Sequence, residues 1–546
     1  MELPFVVVAL ATLVPAGCQG RLPDWTEREV LELTVDRLVA LQNEIAPSFE
    51  LKGGHRIEFR SLDDFRPERI STLVPYVRDL IDRSDVWRAI ETKLQGMNER
   101  QLRDLTENWL RNGVGKREIP QLEVFEASEV ALAVDLIVVR LKSRSSQERQ
   151  ADLIGAISDL ISDIEHDCRT AVNDVISDPR FCAIESTWRG LWYLVSNADL
   201  NEKLKVRVLP CLEGEAQNEL SDVALGRQAL QDTFLFKRLY EATFGMLGGA
   251  PSGLMVADWT VSDPESDVNA LKGLSLLGAE MNCVCLTNAS SHVLGLESWA
   301  EIENVRNPAL LVDSPAYKGW NALRASPSSK WIGLCMPRVQ GAPSSQKKSV
   351  SLSSHAADAG IEPPCLIGSA YAFAVNVSRA QNQFGWPAKI RGVNGGGLIE
   401  DMPFSQLWQT AVGERGVAEV AISDRRESAL SELGFIPLIN SRKGGNAAFL
   451  NAFSFYQSQV PPDLNSAGGD RVSGRLDVQL AIARFIHTIK CMLRDKVGSS
   501  LDADGCERLV NEWLYEYVNP DPGNSSEEAK ARRPLAYGRM KIVDRT

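Results

Sequence analysis

The run Phe5-Val6-Val7-Val8-Ala9-Leu10-Ala11-Thr12-Leu13-Val14 constrains what this chain can fold into more than any other stretch. A continuous apolar run of this length reads as a strand buried inside a core. Branching at Cβ in Val6, Val7 and Val8 favours extended backbone. The run is far shorter than the ~20 apolar residues of a membrane span, and no other stretch approaches that length. Followed by Pro15-Ala16-Gly17-Cys18, it also has the outline of an export signal ending at a lipid-bearing cysteine. Its leading segment, however, carries Glu2 and no Lys or Arg, where such a signal needs positive charge. The buried strand is the stronger reading, and lipid labelling discriminates against an anchor at Cys18.

The remaining composition narrows the class. With 546 residues the chain has room for roughly three or four domains, and it buries a large core without disulfides or metals. It carries 59 Lys+Arg against 72 Asp+Glu, a net charge of −13. That balance argues against nucleic acid as a main partner, because phosphate binding needs clustered cations. The ten Cys are scattered. Cys283-Val284-Cys285 is the one close pair, and no second pair or His stands at zinc spacing. Scattered cysteines in a long chain read as buried thiols in a reducing, cytoplasmic compartment.

A search for catalytic chemistry finds none. There is no Gly-x-x-x-x-Gly-Lys-Ser/Thr and no Gly-x-Ser-x-Gly elbow. Gly248-Gly249-Ala250-Pro251-Ser252-Gly253 has glycines without the lysine. Gly392-Val393-Asn394-Gly395-Gly396-Gly397 offers the single remote alternative, an enzyme holding a phosphate ligand there; a tight structural turn is the simpler reading. The five His form no metal pair. Glu165-His166-Asp167 reads as a solvated helix face, and His487 as a hydrogen-bonded core residue. No catalytic, cofactor or metal site is expected.

Along the chain, residues 1–112 read as one unit: the opening strand, a helix over 27–41, a β-like run at 55–59, and a helix starting at Pro67. Leu73, Val77, Leu80 and Ile81 share one helical face, with Pro75 weakening it. A further helix is expected at 99–110. Gly113, Gly115 and Pro120 mark a joint at 113–126. Beyond it come an apolar helix at 126–139 and an amphipathic one carrying Leu153, Ile154, Ile157, Leu160, Ile161 and Ile164. Strands are expected at 206–209 and 253–257, an exposed loop at 340–360, and helices at 471–495 and 503–518. The mixture indicates an α+β (mixed α/β) fold. Glu185 and Arg189 are spaced for an i,i+4 ion pair. Trp188, Trp192 and Tyr193 are sized to pack a core or an interface. Asp424-Arg425-Arg426-Glu427 reads as a charge network, one that can span a subunit contact.

Several of these stretches carry a resemblance. Asp178-Pro179-Arg180-Phe181, followed by Glu185 and Trp188-Arg189-Gly190-Leu191, resembles the signature of the large sheath subunit of type VI secretion systems (TssC/VipB). Glu2-Leu3-Pro4-Phe5 and Phe59-Arg60-Ser61-Leu62-Asp63-Asp64-Phe65-Arg66-Pro67 resemble the small subunit (TssB/VipA). Gly333-Leu334-Cys335-Met336-Pro337-Arg338, Ser423-Asp424-Arg425-Arg426-Glu427 and Asn511-Glu512-Trp513-Leu514-Tyr515 extend the large-subunit likeness. The resemblance implies a fusion: residues 1–112 small-subunit-like, 113–126 a linker, 127–546 large-subunit-like without a C-terminal arm. The implied fold is an intertwined sheath protomer with the two halves packed together.

The implied function is mechanical and non-enzymatic. Such protomers self-associate into a helical sheath around an inner tube protein, on a baseplate, in the cytoplasm. Contraction drives the tube out, and an AAA+ ATPase disassembles the sheath; neither membrane insertion nor nucleic acid is involved. In the family the helix matching 506–518 faces the tube. Cys506, Leu509, Val510, Trp513, Leu514 and Tyr517 form its apolar stripe. Arg494, Lys496, Glu507, Arg508, Glu512 and Glu516 are then expected at the lumen. The helix at 127–141 matches the ATPase-binding region of the family too poorly to carry residues over. The chain starts without the additional strand of family small subunits and stops before the arm of large ones, which leaves a sheath-terminating cap or a non-polymerising truncated homologue as alternatives.

Overall fold

Strand β1 (Phe5–Val14) is covered on both faces, with Thr12 alone partly exposed. The computed structural model describes residues 3–51, 53–97, 149–246, 248–342, 365–400, 415–440, 446–458, 472–496 and 502–543, with 100–101, 104, 402, 405–409 and 498 between them. In it, β1 belongs to a sheet with β2 (Leu31–Leu33), β3 (Leu204–Leu212), β4 (Ser252–Val261), β5 (Val284–Ala289), β6 (Ile332–Met336), β7 (Leu398–Ile399), β8 (Phe435–Asn440) and β9 (Ala447–Phe449). The order across the sheet is β7-β9-β8-β6-β5-β4-β1-β3-β2. The strands from β3 through β1, β4, β5 and β6 to β8 run parallel. β2 and β9 join antiparallel at the two sides.

A parallel sheet needs cover on both faces, and its strands read as near-continuous apolar runs for that reason. The cover comes from α1 (Pro179–Asn197), α2 (Val268–Met281), α3 (Ser369–Phe384), α4 (Asp424–Glu432) and α5 (Leu476–Arg494), and α6 (Ala503–Tyr515) packs on α5. Helix α3 lies across β1 and β3 to β6 and is buried along nearly its whole length. Its small residues Ala370, Ala372 and Ala374 let it sit close to the sheet.

The chain divides into two compact units, Met1–Ser48 with Cys182–Ser344 and Pro364–Thr546, and Phe49–Phe181 with Ser345–Pro363. The first holds the sheet. In the second, helix Pro75–Gln95 packs on helix Arg149–Ile176, the amphipathic helix read from 153–164. Phe59, Phe65 and Phe181 form an aromatic cluster there, with ring centroids 5.1 to 5.8 Å apart.

The structure corrects several expectations. Residues 1–112 do not form one unit, because 1–48 belong to the sheet unit. The helix read at 27–41 is replaced by β2 and a helix at Val35–Ile45. Leu31 and Leu33 pair with Val208 and Val206 on the edge of β3, a tertiary gain that outweighs helical periodicity. The Thr34 side chain then accepts the Arg37 N–H at 3.2 Å and starts the helix. Pro75 ends one helix and opens the next; Val74 before it is extended, as the residue preceding proline tends to be. The buried stripe of the second helix is therefore Val77, Ser84, Trp87, Ile90 and Leu94. Residues 105–110, the joint at 113–126, the helices at 126–139 and 127–141 and most of the loop at 340–360 lie outside the described residues. Among the described residues no helix is long and apolar enough to cross a membrane.

Candidate assembly surfaces

The Asp178-Pro179 start of α1 is built locally. Asp178 accepts the Arg180 N–H at 2.9 Å and pairs with its guanidinium at 2.7 Å, which lowers the Asp178 pKa. Pro179 occupies the first turn, where a missing N–H costs nothing. One turn later Glu185 and Arg189 form the i,i+4 pair at 2.6 Å, largely buried. Trp188 is fully buried. Gly190 permits the close approach of α1 to α3: a Cβ there would lie 2.4 Å from Cε2 of Tyr371. The Glu185–Gly190 part of the signature is thus a packing device inside the sheet unit.

Next to it lies a group that sequence reading missed. Asp258, near the end of β4, accepts the Thr187 hydroxyl at 2.6 Å. Burial pushes its carboxyl up to about 6, partly offset by the hydrogen bond from Thr187. The only local signal is an acid directly after the apolar run 253–257.

The charged tetrad at the start of α4 splits. Asp424 and Arg425 are exposed. Arg426 turns inward, donates to the Glu303 carbonyl at 2.9 Å and lies 3.8 Å from its carboxylate. Glu427 is buried and accepts from Ser431 at 2.9 Å and Asn451 at 3.1 Å. Burial raises its pKa. Arg426 and Glu427 are therefore bound within the chain, and Asp424 and Arg425 stand at its surface.

Helix α6 presents its apolar stripe inward. Val510 and Leu514 are buried, and Trp513 and Tyr517 pack with Trp386 and Phe485. Asp502 caps the helix through the Gly505 N–H at 2.8 Å. Arg508, Glu512 and Glu516 are exposed, as is Lys496 between α5 and α6. Glu507 is half-buried and accepts the Ile542 N–H at 3.1 Å. Arg494, expected with them, is turned inward. Its guanidinium donates to the carbonyls of Phe244 at 2.7 Å and Gly249 at 3.2 Å, pairs with Asp495 at 3.0 Å and lies 5.3 Å from the Phe244 ring centre. It clamps the tight turn at 243–249, where a Cβ on Gly249 would sit 2.0 Å from the Thr243 carbonyl oxygen.

The geometry gives the phosphate alternative no support. The N–H groups of Gly392, Gly395 and Gly397 are already donated, to Phe449 and Gly392 carbonyls at 2.8 to 3.1 Å. The left-handed backbone of Gly392 and Gly396 serves a structural turn. Among the described residues no group of His, Cys, Asp and Glu is arranged to hold a metal. His487 is buried, with Nε2 2.8 Å from the Met281 carbonyl, as expected. Glu165 departs from the solvated reading: it is buried and paired with Arg88, while His166 and Asp167 are exposed. Cys168, Cys211, Cys283, Cys285, Cys335 and Cys491 are buried thiols, whereas Cys182 is exposed.

Comparison with known proteins agrees with the signature residues. Residues 158–456 match the family model described as EvpB/VC_A0108, tail sheath N-terminal domain (VipB). Residues 466–546 match EvpB/VC_A0108, tail sheath gpW/gp25-like domain (VipB_2). The chain is 34% identical over 401 residues to the type VI secretion system sheath protein TssC1 of Pseudomonas aeruginosa, covering 72% of this chain and 80% of the relative. Among solved structures, the baseplate of the anti-feeding prophage aligns with a TM-score of 0.32 and 10% identity, over 61% of this chain and 64% of that one. Its contracted helical sheath aligns with a TM-score of 0.30 and 11% identity, over 62% and 69%. Likeness at that level is too low to inform fold or function. The sheath family model covering over half the chain, together with the identity to TssC1, shows that this chain belongs to the VipB/TssC family of type VI secretion sheath large subunits.

Proposed function

We propose that the chain is a structural, non-catalytic protomer of a type VI secretion contractile sheath, in which residues 1–112 take the small-subunit role and 127–546 the large-subunit role, joined through 113–126. One observation carries the two-part reading. The family matches begin at residue 158, yet β1, at residues 5–14, lies inside the sheet built by the matched part, between β3 and β4. It pairs with β3 from Phe5 to Val14 and with β4 from Val6 to Ala11. Without β1, two rows of ladder hydrogen bonds between β3 and β4 would be left open, a state that invites aggregation. The N-terminal part is thus needed to complete the large-subunit sheet.

On this reading the protomers self-associate in the cytoplasm around an inner tube, on a baseplate, and an AAA+ ATPase recycles them. The exposed face of α6, with Lys496, Arg508, Glu512 and Glu516 and with Glu507 at its border, meets the tube. Arg494 supports that face from behind by holding the 243–249 turn. Contraction is a rigid-body exchange of contacts between two packed states.

A protease site inserted within 113–126 tests the two-part architecture. After cleavage the two fragments should stay together through gel filtration, held by the β1 pairing. Separation into two folded fragments would refute it.

A further inference from the structure

We propose that Asn511 is a positioning residue for the tube-facing surface, its side-chain amide holding residues 537–543 as an extended strap along α6. The inference rests on the sheath reading above and extends the surface assigned there.

Asn511 lies within α6 and is half-buried. Its Nδ2 donates to the Glu507 carbonyl one turn back at 2.8 Å, which fixes the side chain on its own helix. The same Nδ2 donates to the Met540 carbonyl at 2.8 Å, and Oδ1 accepts the Met540 N–H at 2.7 Å. The amide thus exchanges two hydrogen bonds with one backbone residue, as an opposing residue does in an antiparallel ladder. Glu507 supplies the next rung, its carboxylate accepting the Ile542 N–H at 3.1 Å.

Spacing explains how a helix stands in for a second strand. Residues 507 and 511 are four apart on a helix, a rise of about 6.0 Å. Residues 540 and 542 are two apart in extended chain, a rise of about 6.6 Å. The two rungs therefore meet with little strain, and the strap runs antiparallel to α6. Gly538 keeps the same register one step on: a Cβ there would lie 3.9 Å from the Leu514 Cβ. The start of the strap is fixed as well. The Leu535 N–H donates to the Tyr517 carbonyl at 3.2 Å, and the Leu535 carbonyl accepts the Asn519 N–H at 2.7 Å.

Exposure alternates along the strap. Gly538, Met540 and Ile542 are half-buried, and Met540 packs on the cluster of Trp386, Phe485, Val510 and Leu514. Tyr537, Arg539, Lys541 and Val543 are exposed. A slip of one residue would turn Arg539 and Lys541 inward, so the Asn511 pairing decides which side chains face out. Glu507 and Asn511 also line a shallow groove on α6 of about 790 Å³, together with Asp502, Asp504, Arg508 and Glu512. The strap therefore borders the acidic outer face of the helix and adds Tyr537 and two cations to it. A fixed pattern of both signs selects the register of a docked partner.

Residue-resolved hydrogen exchange of the full chain, with co-sedimentation on a ring-forming tube protein, tests this. In the wild type the Met540 and Ile542 amides should exchange about tenfold more slowly than those of Arg539 and Lys541, which face the opposite edge. Asn511→Leu removes the pairing and should bring Met540 to the rate of Arg539 while weakening tube binding by about tenfold. Asn511→Asp keeps the acceptor and should keep Met540 slow, which distinguishes the hydrogen bond from a general loss of packing. Arg539→Glu with Lys541→Glu should weaken tube binding by a similar factor with Met540 still slow. Should Asn511→Leu unsettle α6 itself, seen as fast exchange at Val510 and Leu514, the Arg539 and Lys541 substitutions carry the test. Equal exchange along 539–542 in the wild type would overturn the strap. Unchanged tube binding in the Arg539 and Lys541 variant would overturn its role in the surface, and neither result touches the sheath reading. A wild-type chain that fails to bind the tube would sink both.

Discussion

Gly190→Ala separates packing from propensity by the sign of its effect. In an unhindered helix this change gains about 1 kcal/mol, because alanine has the higher helix propensity. Here the added Cβ would lie 2.4 Å from Cε2 and 2.5 Å from Cδ2 of Tyr371, while carbons in contact sit about 3.5–4.0 Å apart. Helix α1 or the ring has to move by about 1 Å. Tyr371 is 0% exposed, so its ring cannot swing into solvent. Overpacking of this kind costs about 1–3 kcal/mol, and Gly190→Ala should lose that much stability in chemical denaturation. The rescue pattern is specific. Tyr371→Leu in the Gly190→Ala background should recover most of the loss, whereas Tyr371→Phe should not, because the clash is with ring carbons and not with the hydroxyl. A Gly190→Ala protein as stable as the wild type, or more stable, would refute the close approach of α1 to α3.

Asp258, raised from an ordinary 3.8 to about 6, keeps its proton in the folded chain through the window in which the unfolded chain has released it. Stability from this group is therefore full below about pH 4 and falls as pH rises to about 6. Asp258→Asn should stabilise the protein by up to about 3 kcal/mol at about pH 7.5 and by nothing near pH 4, as read by urea midpoints. His487, lowered to about 4 by burial, has the opposite acid-side behaviour: stability is lost as pH falls from about 6.5 towards 4, because the unfolded chain binds a proton the folded one refuses. His487→Gln keeps a donor for the Met281 carbonyl and should flatten that loss in the same titration. Glu512→Lys with Glu516→Lys changes exposed residues of α6, so stability should move by less than about 0.5 kcal/mol. Co-sedimentation with the tube protein should nevertheless drop by about tenfold.

The elements that were legible in the sequence are those whose cause is local. The β1 run, the i,i+4 spacing of Glu185 and Arg189, and the amphipathic periods of the helices at 149–176, 476–494 and 503–515 all act within a few residues. What escaped was set by distant partners. β2 is three residues long and exists because β3, some 170 positions later, offers an edge. Arg494 looks like a surface cation at the end of a helix, yet carbonyls of Phe244 and Gly249 draw it inward. Arg426 and Glu427 follow the same rule, their partners Glu303 and Asn451 lying outside the motif. Lys203, Gln381, Arg484 and Arg532 share no local pattern at all, and only the sheet and the helices around it bring them to one cleft.

Electron microscopy of the purified full-length chain, alone and after mixing with a ring-forming tube protein, tests the central claim most directly. A sheath protomer predicts hollow helical tubes that enclose the inner tube, with β1 density between β3 and β4 in each subunit. Monodisperse particles under both conditions would contradict it.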